Sequence, residues 1–298
     1  MIAPLPLYHI YAFTVSLVMS DMGHEMVLIP NPRDIPGFVK ELSKHKFSSF
    51  AGLNTLFVAL CNNKEFNALD FSHLKHTISG GMALTEAAAS TWQNVTGCQI
   101  QEAYGLTETS PAVSFNPYRD IRIGTIGKVV TGTQVKVISE DGTDLGFDQE
   151  GELCVKGPQV MAGYWQRPEA TAQVLDADGW FKTGDVAILA EDGFIRLVDR
   201  IKDMINVSGF NVYPNEIDDI ASQHSGILEC AAVGIPNSVS GETVKLFVVK
   251  SDSNLTADDV ISHCREHLTA YKVPKEVEFR DDLPKTNVGK ILRRALRE

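Results

Sequence analysis

Tyr104-Gly-Leu-Thr-Glu-Thr109 stands where one hydrophobic rhythm gives way to another. On its own it reads as a glycine-containing turn that enters a helix capped by Thr107 or Thr109. Upstream, apolar runs such as Glu25-Met-Val-Leu-Ile29 and Phe47-Ser-Ser-Phe-Ala51 alternate with helical spacings. Phe38, Val39 and Leu42 form one such spacing, and Leu56, Val58, Ala59 and Leu60 a looser one. An amphipathic helix is expected from about Thr85. This βαβ-like rhythm predicts part of a mostly parallel sheet through about Pro111.

Downstream, from about Ile123 to Val198, the pattern becomes strand-rich. Gln134-Val-Lys-Val-Ile138 precedes Glu140-Asp-Gly142, and Asp192-Gly193 precedes Phe194-Ile-Arg-Leu-Val198. Asp-Gly steps favour the turns that join antiparallel strands. A third unit begins near Asp199. There Pro214 suits the first turn of a helix that aligns Ile217, Ile220 and Ala221. Strands over Glu229–Val233 and Thr243–Val249 precede a helix from about Ala257. Its stripe is Val260, Ile261, Cys264 and Leu268, with Asp258 and Asp259 near its positive end. The expected organisation is therefore an α/β portion over residues 1–122, a β-rich subdomain over 123–199 and a small α+β domain over 200–298.

The 298 residues, 44% apolar and 22% charged, have room for about two globular domains. A formal charge of -11 argues against nucleic acid as a partner, which would call for a basic footprint. Five scattered cysteines, Cys61, Cys98, Cys154, Cys230 and Cys264, lack metal-ligand spacing and read as reduced, partly buried thiols of a cytosolic protein. Pro4, Pro6 and His9 interrupt the apolar opening from Ile2 to Met19, so burial in protein explains it better than a membrane span.

Five separated segments carry a resemblance: Leu5-Pro-Leu-Tyr-His9, Ser79-Gly-Gly-Met82, the 104–109 run, Trp180-Phe-Lys-Thr-Gly-Asp185 with Asp199-Arg200, and Pro284-Lys-Thr-Asn-Val-Gly-Lys290. In this order and spacing they resemble the adenylate-forming family of acyl-CoA ligases, luciferases and peptide-synthetase adenylation domains, in particular the bacterial long-chain fatty acid–CoA ligases. The resemblance implies an incomplete larger adenylate-forming domain with a β-rich subdomain, followed by a small mobile α+β terminal domain. It also implies that ATP, Mg2+ and the co-substrate CoA bind.

By the same resemblance, Tyr104 offers a flat face to adenine, Thr107 a hydrogen bond to phosphate and Glu108 a carboxylate to Mg2+, with Gly105 beside them. Gly80 and Gly81 border the adenylate, although a purely structural turn accounts for them equally. Asp185 and Arg200 are assigned to ribose, the alternative being an exposed turn acid and a surface arginine. Lys202 takes the place of the family's hinge. Ser208-Gly-Phe210 resembles the loop that enters the site for thioester formation. Gly209 then approaches the pantetheine arm, and Phe210 is either part of that loop or a packed aromatic. Lys290, on a flexible terminal segment, is assigned the bridging ammonium of adenylation; Lys285 shares its string without an equal role. His9 lies near the acyl and CoA entrance by resemblance, and is either a structural histidine or a gating one.

The implied reaction joins a long-chain fatty acid to CoA at the expense of ATP through an acyl-adenylate. The upstream Ser/Thr/Gly-rich phosphate segment of the family has no counterpart in the sequence, and no P-loop replaces it. The missing N-terminal half is therefore an expected partner. It should supply sheet strands that cover apolar surface around residues 1–30. A cytosolic enzyme touching the inner face of the membrane suits a greasy substrate. The alternatives are a medium-chain or aryl ligase, a ligase feeding an acyl carrier, or a noncatalytic binding fragment.

Overall fold

The computed structural model describes residues 1–297, which form two compact units. One comprises Met1–Leu84 and Ala88–Leu197; the other comprises Thr85–Ala87 and the residues from Val198 onward.

The first unit opens with β1 (Ile2–Ala3), α1 (Ile10–Asp21), β2 (Val27–Leu28), α2 (Ile35–Leu42) and β3 (Ser49–Gly52). Next come α3 (Asn54–Cys61), α4 (Lys64–Asn67), β4 (His76–Gly80), α5 (Glu86–Thr96) and β5 (Ile100–Gly105). The short β6 (Ala112–Phe115) and β7 (Lys128–Val129) complete a seven-stranded sheet of order β2-β1-β3-β4-β5-β6-β7. Its first five strands run parallel and its last two antiparallel. Trp92 of α5 centres the core, fully buried, with ring centroids 4.8 Å from Phe57, 5.2 Å from Phe50 and 5.6 Å from Phe66. Its indole N–H donates to Thr77 Oγ1 at 3.1 Å, so the polar end of this large ring is satisfied inside the core.

The opening segment leaves apolar surface exposed within residues 1–30. β1 is buried, but α1 buries only Tyr11 and Ala12. Phe13, Leu17 and Val18 are 48%, 54% and 50% exposed, and Leu7, Tyr8, Met22 and Leu28 are exposed around them. The physical reason is that α1 carries apolar residues on every side, while the sheet of this chain reaches only one of them.

A four-stranded antiparallel sheet follows, of order β11-β10-β9-β8, built from β8 (Gln134–Ile138), β9 (Glu150–Lys156), β10 (Phe181–Leu189) and β11 (Ile195–Arg200). The helix α6 (Pro168–Val174) lies between β9 and β10 in sequence. Both Asp-Gly steps fall in connections between paired strands, but the loops are longer than two residues, and Gly142 and Gly193 take positive φ of 87° and 86°.

The second unit holds β12 (Ile205–Val207), β13 (Phe210–Val212), α7 (Pro214–Ser222), β14 (Ile227–Asn237), β15 (Gly241–Lys250), α8 (Ala257–His267) and β16 (Glu276–Phe279). The long β14–β15 pair is antiparallel, β12 joins one end of β15, and β16 pairs with it in parallel. Pro214 sits in the first turn of α7, whose Ile217 and Ala221 are buried. At α8, Thr256 Oγ1 accepts from the Asp259 N–H, while the Asp259 carboxylate accepts from the Thr256 N–H at 3.0 Å. This reciprocal cap fixes the start of the helix and turns Val260 and Cys264 inward. No helix among the described residues is long and apolar enough to cross a membrane.

Candidate functional site

The sequence assignments divide between the two units. Gly80, Gly81, Tyr104, Gly105, Thr107, Glu108, Asp185 and His9 lie in the first; Arg200, Lys202, Ser208, Gly209, Phe210 and Lys290 lie in the second.

In the first unit, Tyr104 and Asp185 meet: the phenol donates to Asp185 Oδ2 at 2.5 Å across 81 positions of sequence. A strand irregularity aims each of them. In β5, Tyr104 pairs with Ser114 but Gly105 pairs with Ala112, which leaves Val113 bulged. In β10, Lys182 pairs with Cys154 and Val186 with Glu152, so residues 183–185 stand opposite Leu153 alone. Bulges bend a strand and re-aim side chains. Gly184, at φ 72°, makes this one accessible, its N–H donates to Glu152 at 3.0 Å, and the Asp185 N–H donates to Thr183 Oγ1. Asp185 is buried, 4% exposed, with the Tyr104 hydroxyl as one partner.

Past Gly105 the chain forms a single 3-10 turn, Thr107–Thr109, and not the capped helix that the run would allow on its own. Local bonds divert it. The Leu106 N–H donates to Thr109 Oγ1 at 2.9 Å, Thr109 Oγ1 donates to the Pro111 carbonyl, and Ser110 takes φ 56° before β6 departs antiparallel. Thr109 is thus the residue that braces the turn, leaving Thr107 exposed at its tip. Gly105 has a packing reason of its own, since a Cβ there would lie 1.7 Å from the Pro111 carbonyl oxygen. Glu108 is half-buried, and Oε1 accepts from the Tyr164 hydroxyl at 2.9 Å, while its backbone carbonyl accepts from the Met161 N–H at 2.8 Å. A single oriented carboxylate beside a hydroxyl fits Mg2+, which takes one or two carboxylates and completes its shell with substrate phosphates and water. A cage of three or more His, Cys, Asp or Glu is absent among the described residues.

Gly80 ends β4 beside Ala103 of β5, and Gly81 follows at φ 88°. The ring of Tyr11 lies against Gly80, 3.2 Å from where a Cβ would stand, and its hydroxyl donates to the Ile78 carbonyl at 3.0 Å. Burial pushes the Tyr11 phenol well above its ordinary pKa, so it remains a donor. Sequence reading did not single out Tyr11. His9 begins α1, its Nδ1 accepting from the Tyr11 N–H at 3.3 Å. The five cysteines are all buried, and burial pushes Cys154 and Cys264 up to about 11, which keeps their thiols protonated.

In the second unit, Asp199 is buried, and its carboxylate accepts from the N–H groups of Arg200 and Asn215, each at 2.7 Å. Burial raises the Asp199 pKa, with the Arg293 charge opposing. Arg200 itself is exposed, as is Lys202 on the 3-10 turn Ile201–Asp203. Ser208 and Gly209, both with positive φ, form a two-residue hairpin between β12 and β13. Phe210 stacks on Tyr271 at 4.7 Å and 19° while remaining 55% exposed, so it is packed on one face only.

Lys290 does not lie on a loose tail. Lys285 bridges Ile291 in antiparallel fashion, the Thr286 N–H donates to the Lys290 carbonyl at 2.8 Å, and the Gly289 N–H donates to the Thr286 carbonyl at 2.9 Å. These bonds make a small hairpin with half-buried Lys290 at the start of its returning arm.

The AMP-binding enzyme profile matches residues 1–165, and the AMP-binding enzyme C-terminal domain profile matches residues 216–290. A long-chain-fatty-acid–CoA ligase of Salmonella typhimurium is 57% identical over all of this chain, and one of Bacillus subtilis is 41% identical over 99% of it. Each match takes in 53% of the relative, so the chain spans about half the length of these curated relatives. Among solved structures, ATP-bound MatB from Rhodopseudomonas palustris matches with a TM-score of 0.90 at 31% identity, over 99% of this chain and 59% of that one.

Proposed function

Because this chain belongs to the AMP-binding enzyme family, we propose that it is the carboxyl-terminal part of a long-chain fatty acid–CoA ligase. The observation that carries this reading is the extent of the likeness: 57% identity to a protein of that name runs along the whole chain, not along one motif. The proposed reaction has two steps. A fatty-acid carboxylate attacks the α-phosphate of ATP and expels pyrophosphate; the CoA thiol then attacks the acyl carbon of the adenylate and expels AMP.

The geometry supports distinct roles. Tyr104 offers its ring face to adenine while its hydroxyl holds Asp185, whose carboxylate has lone pairs enough to accept from ribose hydroxyls as well. Arg200 is the second proposed nucleotide contact, and Thr107 donates to phosphate from the tip of its turn. Glu108, oriented by Tyr164, would hold Mg2+, which when bound neutralises phosphate charge. Lys290 brings an ammonium to the attacking carboxylate and the α-phosphate, where two negative groups must approach each other. Gly80 and Gly81 leave room beside the adenylate, and the Ser208–Phe210 hairpin with Gly209 at its tip faces the CoA step. His9 is proposed at the acyl and CoA entrance, and Lys202 as the hinge residue. The three sequence ranges expected above are the proposed domains.

The exposed apolar side of α1 supports joint work with an upstream half. Fatty-acid metabolism at the inner face of the membrane is the proposed setting. The test is palmitate-, ATP- and CoA-dependent formation of palmitoyl-CoA, by the purified chain alone and after co-expression with the upstream half of a long-chain ligase. Product in either arm that disappears with Lys290→Ala bears the reading out. Absence of product in both arms, with the two polypeptides copurifying, overturns it.

A further inference from the structure

The tail that carries Lys290 is tied down by charges in an unusual place. Arg293, in the 3-10 turn Arg293–Leu296, sends Nη2 to Asp218 Oδ2 at 2.5 Å and to Asn215 Oδ1 at 2.9 Å, and Nε to the Ala232 carbonyl at 3.3 Å. Asp218 is buried on α7, and its other oxygen accepts from the Ala232 N–H at 2.6 Å. Asn215 in turn donates its N–H to Asp199, the residue before Arg200. Four residues on, Arg297 reaches Asp203 at 3.2 Å, the residue after Lys202. On the other side of the hairpin, Lys285 pairs with Glu229 at 2.7 Å and Asp282 at 2.5 Å. Lys290 is therefore held between two ionic anchors on one scaffold.

Burying an ion pair is a poor route to stability, because desolvation offsets most of the attraction and apolar residues of the same volume often do as well. What a buried Arg–Asp pair supplies that Leu or Met would not is a fixed position, since the planar guanidinium meets three acceptors in defined directions. An apolar plug would hold the tail against the sheet but would leave its register free to slip.

We propose that Arg293 is a positioning residue for Lys290: through Asp218, Asn215 and the Ala232 carbonyl it sets the register of the tail hairpin relative to α7 and β14. The proposal rests on the reading of Lys290 as the adenylating lysine. Arg293 touches no reacting atom; it acts by fixing where the Lys290 ammonium is presented.

The experiment uses the chain as it is and reads two things that do not depend on ligase activity. Hydrogen exchange follows the Thr286, Gly289 and Leu292 amides, which close the hairpin, against the Ala231 and Phe247 amides of the β14–β15 pair. Competitive acetylation of lysines across pH reports the reactivity of Lys290 against Lys245 and Lys272. In Arg293→Met, hairpin exchange should rise at least tenfold and Lys290 labelling should change at least threefold, with the reference amides and lysines unmoved. Arg293→Lys should recover part of both. If Arg293→Met also loosens the reference amides, the double variant Arg293→Met with Asp218→Asn removes the unpaired buried charge and is compared instead. Unchanged hairpin exchange and unchanged Lys290 labelling in a folded variant overturn the proposal. Adenylate formation is measured in parallel with the upstream half supplied. A fall in kcat at constant KM for Arg293→Met extends the proposal to catalysis. Full activity of Lys290→Ala would overturn the adenylating-lysine reading while leaving the register result standing.

Discussion

The hydroxyl of Tyr104, near the end of a parallel strand, donates to the buried carboxylate of Asp185 in a separate antiparallel sheet at 2.5 Å. Each residue sits at a break in strand register, so two local irregularities that weaken their own ladders together build one contact. Tyr104→Phe keeps the ring and removes this bond. It should weaken AMP binding about tenfold, the equivalent of about 1–1.5 kcal/mol for one hydrogen bond, measured by titration calorimetry. Asp185→Asn should cost more, because it alters both the bond and the proposed ribose acceptor.

Gly105 and Gly184 make contrasting cases. A Cβ at Gly105 would strike the Pro111 carbonyl at 1.7 Å, so Gly105→Ala must displace backbone. A loss of about 3 kcal/mol or more is expected, read as a fall in urea midpoint. Nothing lies within 4 Å of a Cβ at Gly184, and only its φ of 72° opposes substitution. Gly184→Ala should therefore cost about 1–2 kcal/mol.

Tyr164 holds Glu108 from 56 positions away. Tyr164→Phe should leave the fold intact and raise the Mg2+ concentration that half-saturates adenylation about three- to tenfold, the share of one charge-assisted hydrogen bond. Glu108→Gln should raise it further, and a magnesium titration of initial rates separates the two.

Burial pushes the Asp218 carboxyl up from 3.8 to about 6 despite the nearby Arg293 charge. The folded protein therefore holds this proton to higher pH than the unfolded chain does. Asp218's contribution to stability is full below about pH 3.8 and is lost as pH rises through about 6. Asp218→Asn cannot titrate, so urea denaturation between pH 4 and 7 should show a flatter profile than wild type over that window.

Much of the fold was legible because it depends on neighbours in sequence. Pro214 marked the start of α7, Asp258 and Asp259 marked that of α8, and the Asp-Gly steps marked strand connections. The alternation of Gln134–Ile138 likewise matched β8. Where local reading failed, distant partners decided. The Tyr164–Glu108 and Arg293–Asp218 pairs are 56 and 75 positions apart and belong to no motif, so no periodicity could announce them. The hairpin around Lys290 escaped notice for a related reason: its turn, closed by Gly289 at φ 87°, is local, but the anchors that hold it come from α7 and β14.

The most direct test of the account is a split-reaction assay with the upstream half supplied, comparing wild type with Lys290→Ala. The account predicts that wild type converts palmitate, ATP and CoA to palmitoyl-CoA, AMP and pyrophosphate. The variant should lose palmitate-dependent pyrophosphate release at least a hundredfold, yet still form palmitoyl-CoA from added palmitoyl-adenylate and CoA. Equal pyrophosphate release by the two proteins, or no palmitoyl-CoA from wild type under either substrate regime, would contradict it.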